Sequence, residues 1–377
     1  MQFRDLQRQY QQLKNEIDDA VKEALSAAEF ISGTQVSVLE KMLAGYTGVR
    51  HCITCGNGTD AISLALSAWG TGSKDAVFVP DFTFFSSGEC PAVLGAVPVF
   101  TDVKKATFNM DPDSLERCIQ KVTADGKYTP KAVVSVDLFG LPAEYDKIRL
   151  ICDKYGLLLL EDGAQGFGGA IRGRRACSFG DISTTSFFPA KPLGCYGDGG
   201  AVFTDNSQAA ALIRSIAVHG KNKNDKYDNV RLGMNSRLDT IQAAILIPKF
   251  QAFRDYELHE VNKAAAWYTE MLKGIPGLEL PQIPEGYSSS WAQYAVLLPL
   301  GTDRAAVQNK MREAGIPTMV YYAKPMHRQG AFQGTYSADA DCPVAEELCR
   351  RVLCLPIHPY LTKTEAEKTV ESLKSSI

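Results

Sequence analysis

The stretch that decides the fold is residues 185–200, Thr-Ser-Phe-Phe-Pro-Ala-Lys-Pro-Leu-Gly-Cys-Tyr-Gly-Asp-Gly-Gly. Its lysine, Lys191, stands between Pro189 and Pro192, two residues that can neither continue a helix nor donate to a central sheet ladder. Residues 181–188 are rich in Ser, Thr and Phe and are predicted to form a strand. A lysine on a stiff turn at a strand end, beside small residues that admit a flat ligand, suits the formation of a Schiff base.

An acidic residue follows a second predicted strand upstream. The apolar run Leu157–Leu160 leads into Glu-Asp-Gly-Ala-Gln at 161–165, so Asp162 lies 29 positions before the lysine (191 − 162 = 29). Ligands of open parallel sheets bind beyond the carboxyl ends of the strands, which is where Asp162 falls. An aspartate and a lysine at neighbouring strand ends are the two groups that pyridoxal phosphate (PLP) most needs.

Strands and helices alternate through the first half of the chain, and this order predicts an α/β protein with a mostly parallel sheet covered on both faces. Strands are predicted at 51–55, 77–79, 97–100, 132–136, 157–160, 181–188 and 201–204. Helices are predicted at 4–27, 36–46, 60–69, from about 85, at 113–122, 144–155 and 207–218. Residues 221–226 are predicted to form a polar, solvated loop.

A second, smaller domain is predicted towards the C-terminal end. A long helical region over 238–272 leads to predicted strands at 293–298 and 318–322 and to predicted helices at 304–314 and 345–352. We therefore expect a large domain over residues 1–250 and a smaller α+β domain over residues 251–377.

The composition is that of an ordinary globular protein. With 377 residues, of which 45% are apolar, the chain can bury a large core, and its net charge of −3 gives no general drive towards nucleic acid or membrane. The start lacks an apolar signal core and no run approaches roughly 18 apolar residues, so we expect a cytoplasmic protein. Ten scattered cysteines indicate reduced thiols, and Cys52 and Cys55 favour buried thiols over zinc, so we expect no metal.

Four motifs together resemble the DegT/DnrJ/StrS family. They are Glu161–Gln165, Ser186–Lys191, Gly197–Ala201 and Asn235–Asp239, they keep the family's order and spacing, and the similarity runs from about residue 3 to about residue 362. The resemblance implies a PLP-dependent nucleotide-sugar aminotransferase with the type I (aspartate aminotransferase-like) fold, a large mostly parallel sheet domain plus a smaller α+β C-terminal domain. Within the family, residues 191–200 are most similar to the branch that acts on UDP-linked 3-keto uronic acids.

The resemblance also implies which residues contact the cofactor. Lys191 would bind the cofactor aldehyde and later move the proton from the amino donor, and Asp162 would keep the pyridine nitrogen protonated. A helix start with free N–H groups would hold the phosphate. The other expected cofactor contacts are Gly58, Thr59, Asp60, Phe84 (stacking on the ring), Gln165 (bonding the ring 3′-oxygen), Ser186 and, from a partner subunit, Asn235.

Taken alone, several of these residues have an ordinary structural interpretation. Thr59 and Asp60 are as typical of a plain helix N-cap as of a phosphate site. Phe84, at a strand-to-helix junction, is on its own more typical of core packing. Only the combination with Lys191 and Asp162 favours the cofactor site.

Substrate contacts are expected from a second set of residues. Arg237 follows Asn235 in its motif, and a guanidinium suits a carboxylate or a diphosphate. The related uronic-acid enzymes have a His-Tyr pair at a strand near residue 318 that contacts the sugar carboxylate, whereas this chain has Tyr321 and Tyr322. His327 matches a family position near the pocket and is a candidate to replace the missing histidine, although a lone histidine in a loop is more often structural.

The predicted function is transfer of an amino group from L-glutamate to a UDP-linked keto-sugar, nearest to UDP-2-acetamido-2-deoxy-3-keto-glucuronic acid, for a surface polysaccharide. The resemblance implies a homodimer with active sites at the subunit interface. The first alternative is a C4 aminotransferase acting on a 4-keto-6-deoxy nucleotide sugar. The second is a nicotinamide-dependent dehydrogenase, because Gly56-x-Gly58-x-x-Ala61 satisfies a loose dinucleotide-binding pattern with Asp81 downstream.

Overall fold

The structure is a computed structural model that describes residues 1–222, 225 and 227–377. Its described strands form three sheets. In chain order the strands are β1 (His51–Cys55), β2 (Asp75–Pro80), β3 (Val97–Thr101), β4 (Thr129–Val136), β5 (Leu158–Asp162), β6 (Ala170–Ile171), β7 (Arg174–Arg175), β8 (Ile182–Ser186), β9 (Gly200–Thr204), β10 (Tyr287–Ser288), β11 (Tyr294–Leu297) and β12 (Val352–Leu355). The large sheet has seven strands in the order β1-β9-β8-β5-β4-β2-β3, and β9 alone runs antiparallel to its two neighbours. The predicted mostly parallel sheet is therefore confirmed.

Helices cover the sheet and build the C-terminal part. In chain order they are α1 (Leu6–Gln12), α2 (Lys14–Ala27), α3 (Thr34–Thr47), α4 (Gly58–Ala68), α5 (Ser86–Val93), α6 (Pro112–Asp125), α7 (Tyr145–Tyr155), α8 (Ser207–Ile216), α9 (Thr240–Ala252), α10 (Leu258–Leu272), α11 (Arg304–Glu313), α12 (Pro343–Arg351) and α13 (Lys363–Ser376). A π-helical turn over Phe253–Glu257 joins α9 to α10, so the long helical region predicted over 238–272 forms almost as expected.

The two faces of the sheet bury different layers of side chains because successive residues of a strand point to opposite faces. Val77 packs with α4 and α8, and its neighbour Phe78 packs with α6 and α7; both side chains are fully buried. The same alternation separates Cys52 from Cys55, which lie in different core clusters on opposite faces. The two thiols therefore cannot point at one ion.

The geometry of the sheet brings the ends of distant segments together. β5 pairs with β8 in parallel, with Asp162 opposite Thr184, so both strands end at the same edge. β1 and β8 both pair antiparallel with β9 and so run in the same direction. The carboxyl ends of β1, β2, β4, β5 and β8 consequently meet at one edge, as expected for a site in an open parallel sheet.

The C-terminal part has its own core, in which β11 and β12 pair antiparallel and pack against α10, α11 and α13. The predicted strand over 318–322 is wrong. Met319 makes a single bridge to Cys354, after which the chain leaves the edge of β12 and carries Tyr321 and Tyr322 towards the carboxyl edge of the large sheet. Pro317, just before, has no N–H with which to extend the pairing.

Two other predictions concern regions that the structure describes only in part or does not test. Residues 223, 224 and 226 of the predicted loop over 221–226 lie outside the described residues. The predicted domain boundary after residue 250 falls inside α9, and the division of the chain at that residue stays a prediction. Among the described helices, none has both the length and the apolar character that a membrane span requires.

The buried face of α4 provides a test of the packing. Leu64 is fully buried there, whereas Leu150 on α7 is 70% exposed. We expect Leu64→Ala to lower the free energy of unfolding by about 2–5 kcal/mol, because it removes buried contacts and leaves a cavity. Leu150→Ala, the matched control, should change it by less than about 0.5 kcal/mol. Urea unfolding followed by circular dichroism measures both, and equal effects would contradict this packing.

Candidate active site

A cavity of about 820 Å³ opens beyond the carboxyl ends of β4, β5 and β8. Side chains from the large sheet domain and from the C-terminal part line it together. Of the residues predicted from the sequence, the cavity is lined by Gly58, Thr59, Asp60, Phe84, Asp162, Gln165, Ser186, Lys191, Tyr321 and Tyr322. The structure therefore brings most of the predicted site into one cavity, at the position that the strand order requires.

Lys191 and Asp162 both line this cavity, and their opposite charges act on each other. The turn from Phe188 to Lys191 is closed by a 2.8 Å bond from the Lys191 N–H to the Phe188 carbonyl, which fixes where the lysine leaves the chain. Burial lowers the pKa of the Lys191 amine, while Asp162 opposes that shift. A lowered pKa increases the fraction of uncharged amine, which is the nucleophilic form.

Asp162 is held rigidly at the end of β5. Its side chain is buried, one oxygen accepts the Ala164 N–H at 3.1 Å, and the other accepts the Ser87 hydroxyl at 3.3 Å. Burial raises the pKa of Asp162, while the Ala164 N–H, the charge of Lys191 and the Ser87 hydroxyl oppose the rise. A fixed carboxylate in this setting is suited to pair with a cationic ring nitrogen.

The amide of Gln165 has a defined orientation. Its Oε1 accepts the Phe139 N–H at 2.7 Å, so its Nε2 must point the other way, where it donates to the Tyr322 hydroxyl at 3.1 Å. An amide nitrogen carries two hydrogens, and the second remains available to an acceptor in the cavity. Burial raises the pKa of Tyr322, which therefore stays a neutral hydroxyl.

The start of α4 forms a cradle next to Ser186. Asn57 is the N-cap and its side chain accepts the Asp60 N–H at 2.8 Å, so this N–H already has a partner within the protein, and the contact predicted for Asp60 with the cofactor stays a prediction. The N–H groups of Gly58 and Thr59 precede the first possible intrahelical bonds and stay free for a ligand. A Cβ at Gly58 would lie 2.7 Å from the Cβ of Ser186, so only glycine permits this close approach.

Two further groups shape this cradle. Ser186 Oγ accepts the Phe188 N–H at 3.2 Å, which leaves its own hydrogen free to donate into the cavity. The carboxylate of Asp60 accepts the Ser236 hydroxyl at 2.6 Å, and Ser236 in turn accepts the Gly56 N–H at 2.9 Å. The Asp60 side chain therefore stabilises the loop before α4, and its charge faces a hydroxyl donor.

Aromatic rings form one wall of the cavity. Phe84 is 53% exposed, unlike a core side chain, and its ring centroid lies 6.3 Å from that of Tyr322. Phe188, directly before Pro189, is also 53% exposed and lines the cavity. Exposed aromatic faces of this kind suit a flat ligand.

His327 does not line the cavity of this single chain, and its predicted contact with substrate stays a prediction. Its ring is buried behind the cavity wall, with Nδ1 2.6 Å from Asp81 Oδ2 and its backbone N–H donating to Asp81 Oδ1 at 2.8 Å. Its neighbours Met326 and Gln329 line the cavity instead. The sequence could not show this, because the partner of His327 lies 246 positions away.

Asn235 and Arg237 are likewise absent from the lining residues of this single chain. Asn235 is exposed at the surface and Arg237 is half-buried. Asn235 was expected to reach a partner subunit's cofactor and Arg237 to bind the substrate, and both roles stay predictions. Two residues of the site were not predicted from the sequence. Ser87, which hydrogen-bonds to Asp162, lies in no recognisable motif, whereas Phe188, which lines the cavity, lies within the 185–200 stretch and could have been found there.

A lysine and an aspartate in one cavity beyond the strand ends, an oriented glutamine and free N–H groups at a helix start are features of PLP-dependent type I transferases. Comparison with known proteins gives the family. The sequence profile of the DegT/DnrJ/EryC1/StrS aminotransferase family matches residues 11–374, and the chain belongs to this family.

The chain is similar to proteins of known function over nearly its whole length. It is 41% identical to the UDP-2-acetamido-2-deoxy-3-oxo-D-glucuronate aminotransferase of Pseudomonas aeruginosa, over 96% of both chains. It is 38% identical to the UDP-N-acetyl-3-dehydro-α-D-glucosamine 3-aminotransferase of Acidithiobacillus ferrooxidans, over 99% of this chain and 97% of that one. The crystal structure of a DegT/DnrJ/EryC1/StrS aminotransferase from Brucella abortus superposes with a TM-score of 0.95, at 42% identity and over 100% and 99% of the two chains.

The cofactor of this family is PLP, and the residues present fit it. The Gly58 cradle, which any side chain would fill, and the free hydrogen of Ser186 suit the phosphate. Asp162 would hold the pyridine nitrogen, Gln165 Nε2 the ring oxygen, and Lys191 the aldehyde carbon. When bound, PLP supplies the electron sink that amino-group transfer requires.

The nicotinamide-dependent alternative does not agree with the family or with the geometry. Asp81, the acid that would bind the ribose, is fully buried and hydrogen-bonded to His327. The Gly56–Ala61 pattern lies after an edge strand that pairs antiparallel, and not after the first strand of a dinucleotide-binding unit.

The Asp81–His327 pair predicts a pH-dependent stability. The hydrogen bond that the charged His327 ring donates to Asp81 raises the pKa of His327 above 6.5, so the stabilisation by the charged ring is complete below pH 6.5 and is lost as the pH rises through the raised pKa. We expect His327→Asn to cost about 1.5–3 kcal/mol of unfolding free energy at acidic pH and progressively less at alkaline pH.

Urea unfolding at several pH values measures this difference. The exposed residue His259 provides the control, since His259→Asn should leave the free energy of unfolding nearly unchanged at every pH. A wild-type advantage over His327→Asn that grows with rising pH would refute the assignment of a charged ring.

Proposed function

We propose that the protein transfers the amino group of L-glutamate to the C3 keto group of a UDP-linked 2-acetamido sugar, most closely the 3-keto uronic acid. The similarity to the two relatives described above supports this proposal, since the names of both describe UDP-linked, 3-oxo, N-acetylated sugars. Their names differ at C6, where one sugar is a uronate. The C4 alternative on a 6-deoxy sugar has no comparable support among them.

The chain's own residues would divide the work as follows. Lys191 would hold and move the proton at the donor's α-carbon, and its lowered pKa keeps the amine able to accept it. Asp162 would keep the ring nitrogen protonated. The aromatic wall of Phe84 and Tyr322 would exclude water from the reacting atoms.

Charge balance supports the proposal of a homodimer. Of the described residues that line the cavity, Lys191 is the cation, while Asp60, Asp162 and Asp198 are acids. A nucleotide diphosphate needs cationic or N–H donors. We infer that Arg237, with Asn235 beside it, supplies them to the partner's cavity.

The surface around these two residues suits an interface. Val230 is 50% exposed and Leu232 is 97% exposed, only a few residues before Asn235. Phe30 and Ile31, which are 46% and 49% exposed, lie next to the same segment through the bridge between Ile31 and Asp239. Large exposed apolar side chains grouped in this way are typical of a protein–protein contact.

The cellular setting belongs to the same proposal. The ten cysteines are all free thiols in the structure and most are buried, which suits a reducing compartment. We place the enzyme in the cytoplasm, where it would supply an amino sugar for a surface polysaccharide.

The substrate proposal is tested by offering purified enzyme UDP-linked 3-keto and 4-keto 2-acetamido sugars with L-glutamate. We expect amination at C3 with a kcat/KM at least about tenfold higher than at C4, because the pocket must orient one keto carbon over the cofactor. NMR of the product locates the new amine, and Lys191→Ala serves as the inactive blank. Faster amination at C4 would overturn the proposal in favour of the alternative.

The shared site is tested with two complementary variants. Lys191→Ala and Asn235→Ala, each in its own homodimer, should both lose most activity. If Asn235 serves the partner's cavity, a co-expressed and differently tagged heterodimer contains one intact site and should recover about half of wild-type activity. If both residues serve the same chain, the heterodimer stays as inactive as its parents, and the proposal fails.

A further inference from the structure

The N-terminal strap, residues 3–9, crosses behind the turn that carries Lys191. Its central contact is a hydrogen bond of 3.0 Å from Arg4 Nη2 to the main-chain carbonyl of Lys191, 187 positions away. Arg4, Lys191, His358 and Tyr360 enclose a small gap on this side of the turn. Arg4 thus contacts the lysine at this small gap and is not among the residues that line the main cavity.

Arg4 keeps its charge in this buried place. Burial lowers the pKa of Arg4 to about 10, while the charge of Glu257 opposes the shift, so the guanidinium is still protonated at neutral pH. Glu257 is 1% exposed and accepts the Gln9 amide at 2.8 Å and the Tyr360 hydroxyl at 2.6 Å. A carboxylate with these bonds is a fixed counter-charge for Arg4.

The strap has anchors that do not depend on Arg4. Arg8 makes a bidentate ion pair with Glu365, with N–O distances of 2.6 and 3.0 Å, and also donates to the Tyr360 carbonyl at 3.0 Å. Phe3 packs against Tyr321, with ring centroids 6.3 Å apart. The strap is therefore seated on the C-terminal part, and Arg4 projects from a fixed base.

We propose that Arg4 is a positioning residue for Lys191: it clamps the carbonyl of the reacting lysine and holds a positive charge behind it that favours the uncharged amine. The bond to the carbonyl restrains the one residue whose side chain must swing between cofactor and donor. The charge of Arg4 acts in the same direction as burial, because a nearby cation disfavours protonation of the Lys191 amine.

The balance of charges around the lysine agrees with this role. The groups that act on Lys191 are Asp162, which raises its pKa, and Arg4, which lowers it, in addition to burial. His358, on the Arg4 side, has its pKa lowered to about 4 by burial and by Arg4, so it is neutral at working pH. Arg4 is therefore the group whose removal should change the protonation of Lys191.

The experiment measures the reactivity of Lys191 in the protein without cofactor. Trace acetylation at a series of pH values, read by peptide mass spectrometry, gives the midpoint at which this amine loses its proton. We expect Arg4→Gln to move the midpoint to higher pH and to slow labelling of Lys191 at neutral pH about twofold to fivefold. Arg4→Lys, which keeps the charge, should stay near wild type, and Arg4→Met provides a second neutral variant.

Arg8→Gln is the matched control, because it loosens the same strap without touching Lys191. Its midpoint should equal that of wild type. In the PLP-loaded enzyme, the pH at which the absorbance of the bound cofactor changes should shift upwards in Arg4→Gln and Arg4→Met alone. Equal midpoints in wild type and both neutral variants, or an equal shift in Arg8→Gln, would overturn the proposal.

The inference about Arg4 rests on the proposed role of Lys191 as the reacting amine, but the experiments distinguish a failure of the Arg4 proposal from a failure of the proposed function. Labelling needs neither sugar nor glutamate, so a shifted midpoint stands even if the substrate proposal is wrong. An unshifted midpoint in an enzyme that aminates the 3-keto sugar would remove the role of Arg4 and leave the function intact.

Discussion

The interaction on which the rest of the site depends is the attraction between Asp162 and Lys191, two opposite charges withdrawn from water at the ends of hydrogen-bonded strands. Either charge buried alone would be costly, and each shifts the other back towards its ionised form. The parallel pairing of β5 with β8 sets the spacing between these two strands. Ser87 and the Ala164 N–H then hold the carboxylate still.

The sheet explains why such distant segments meet. Lys191 lies in the connection between β8 and β9, where the chain reverses at the carboxyl edge of the sheet. β1 ends at the same edge, so the capped start of α4 approaches Ser186 across Gly58. With a different strand order, the start of α4 and Lys191 would lie at different places on the sheet. They could then not contact the same ligand.

The C-terminal part contributes a wall and, through the strap, a support. Tyr321 and Tyr322 line the cavity, just after Met319 makes its bridge to β12. The ring contact between Phe3 and Tyr321 connects the N-terminal strap to the same wall. The site thus joins three regions that are far apart in the sequence. Among the described residues that line the cavity, three acids and one lysine carry charge, and this acidic balance is the observation behind the proposed second subunit.

Much of this could be predicted from the sequence, because local patterns carry it. Apolar runs followed by polar ends predicted the strands of the large sheet, and the prolines around Lys191 and the acid at the end of β5 pointed to two residues that the structure places in one cavity. The sequence alone could not decide contacts made across hundreds of positions, such as Arg4 with Lys191 or Asp81 with His327. It also failed for the strand predicted over 318–322, because β-pairing depends on which edge is free and not on propensity. Local chemistry determined which groups react, and only the tertiary structure decided which partners hold them in place, since hydrogen bonds and charges act through space and not along the chain.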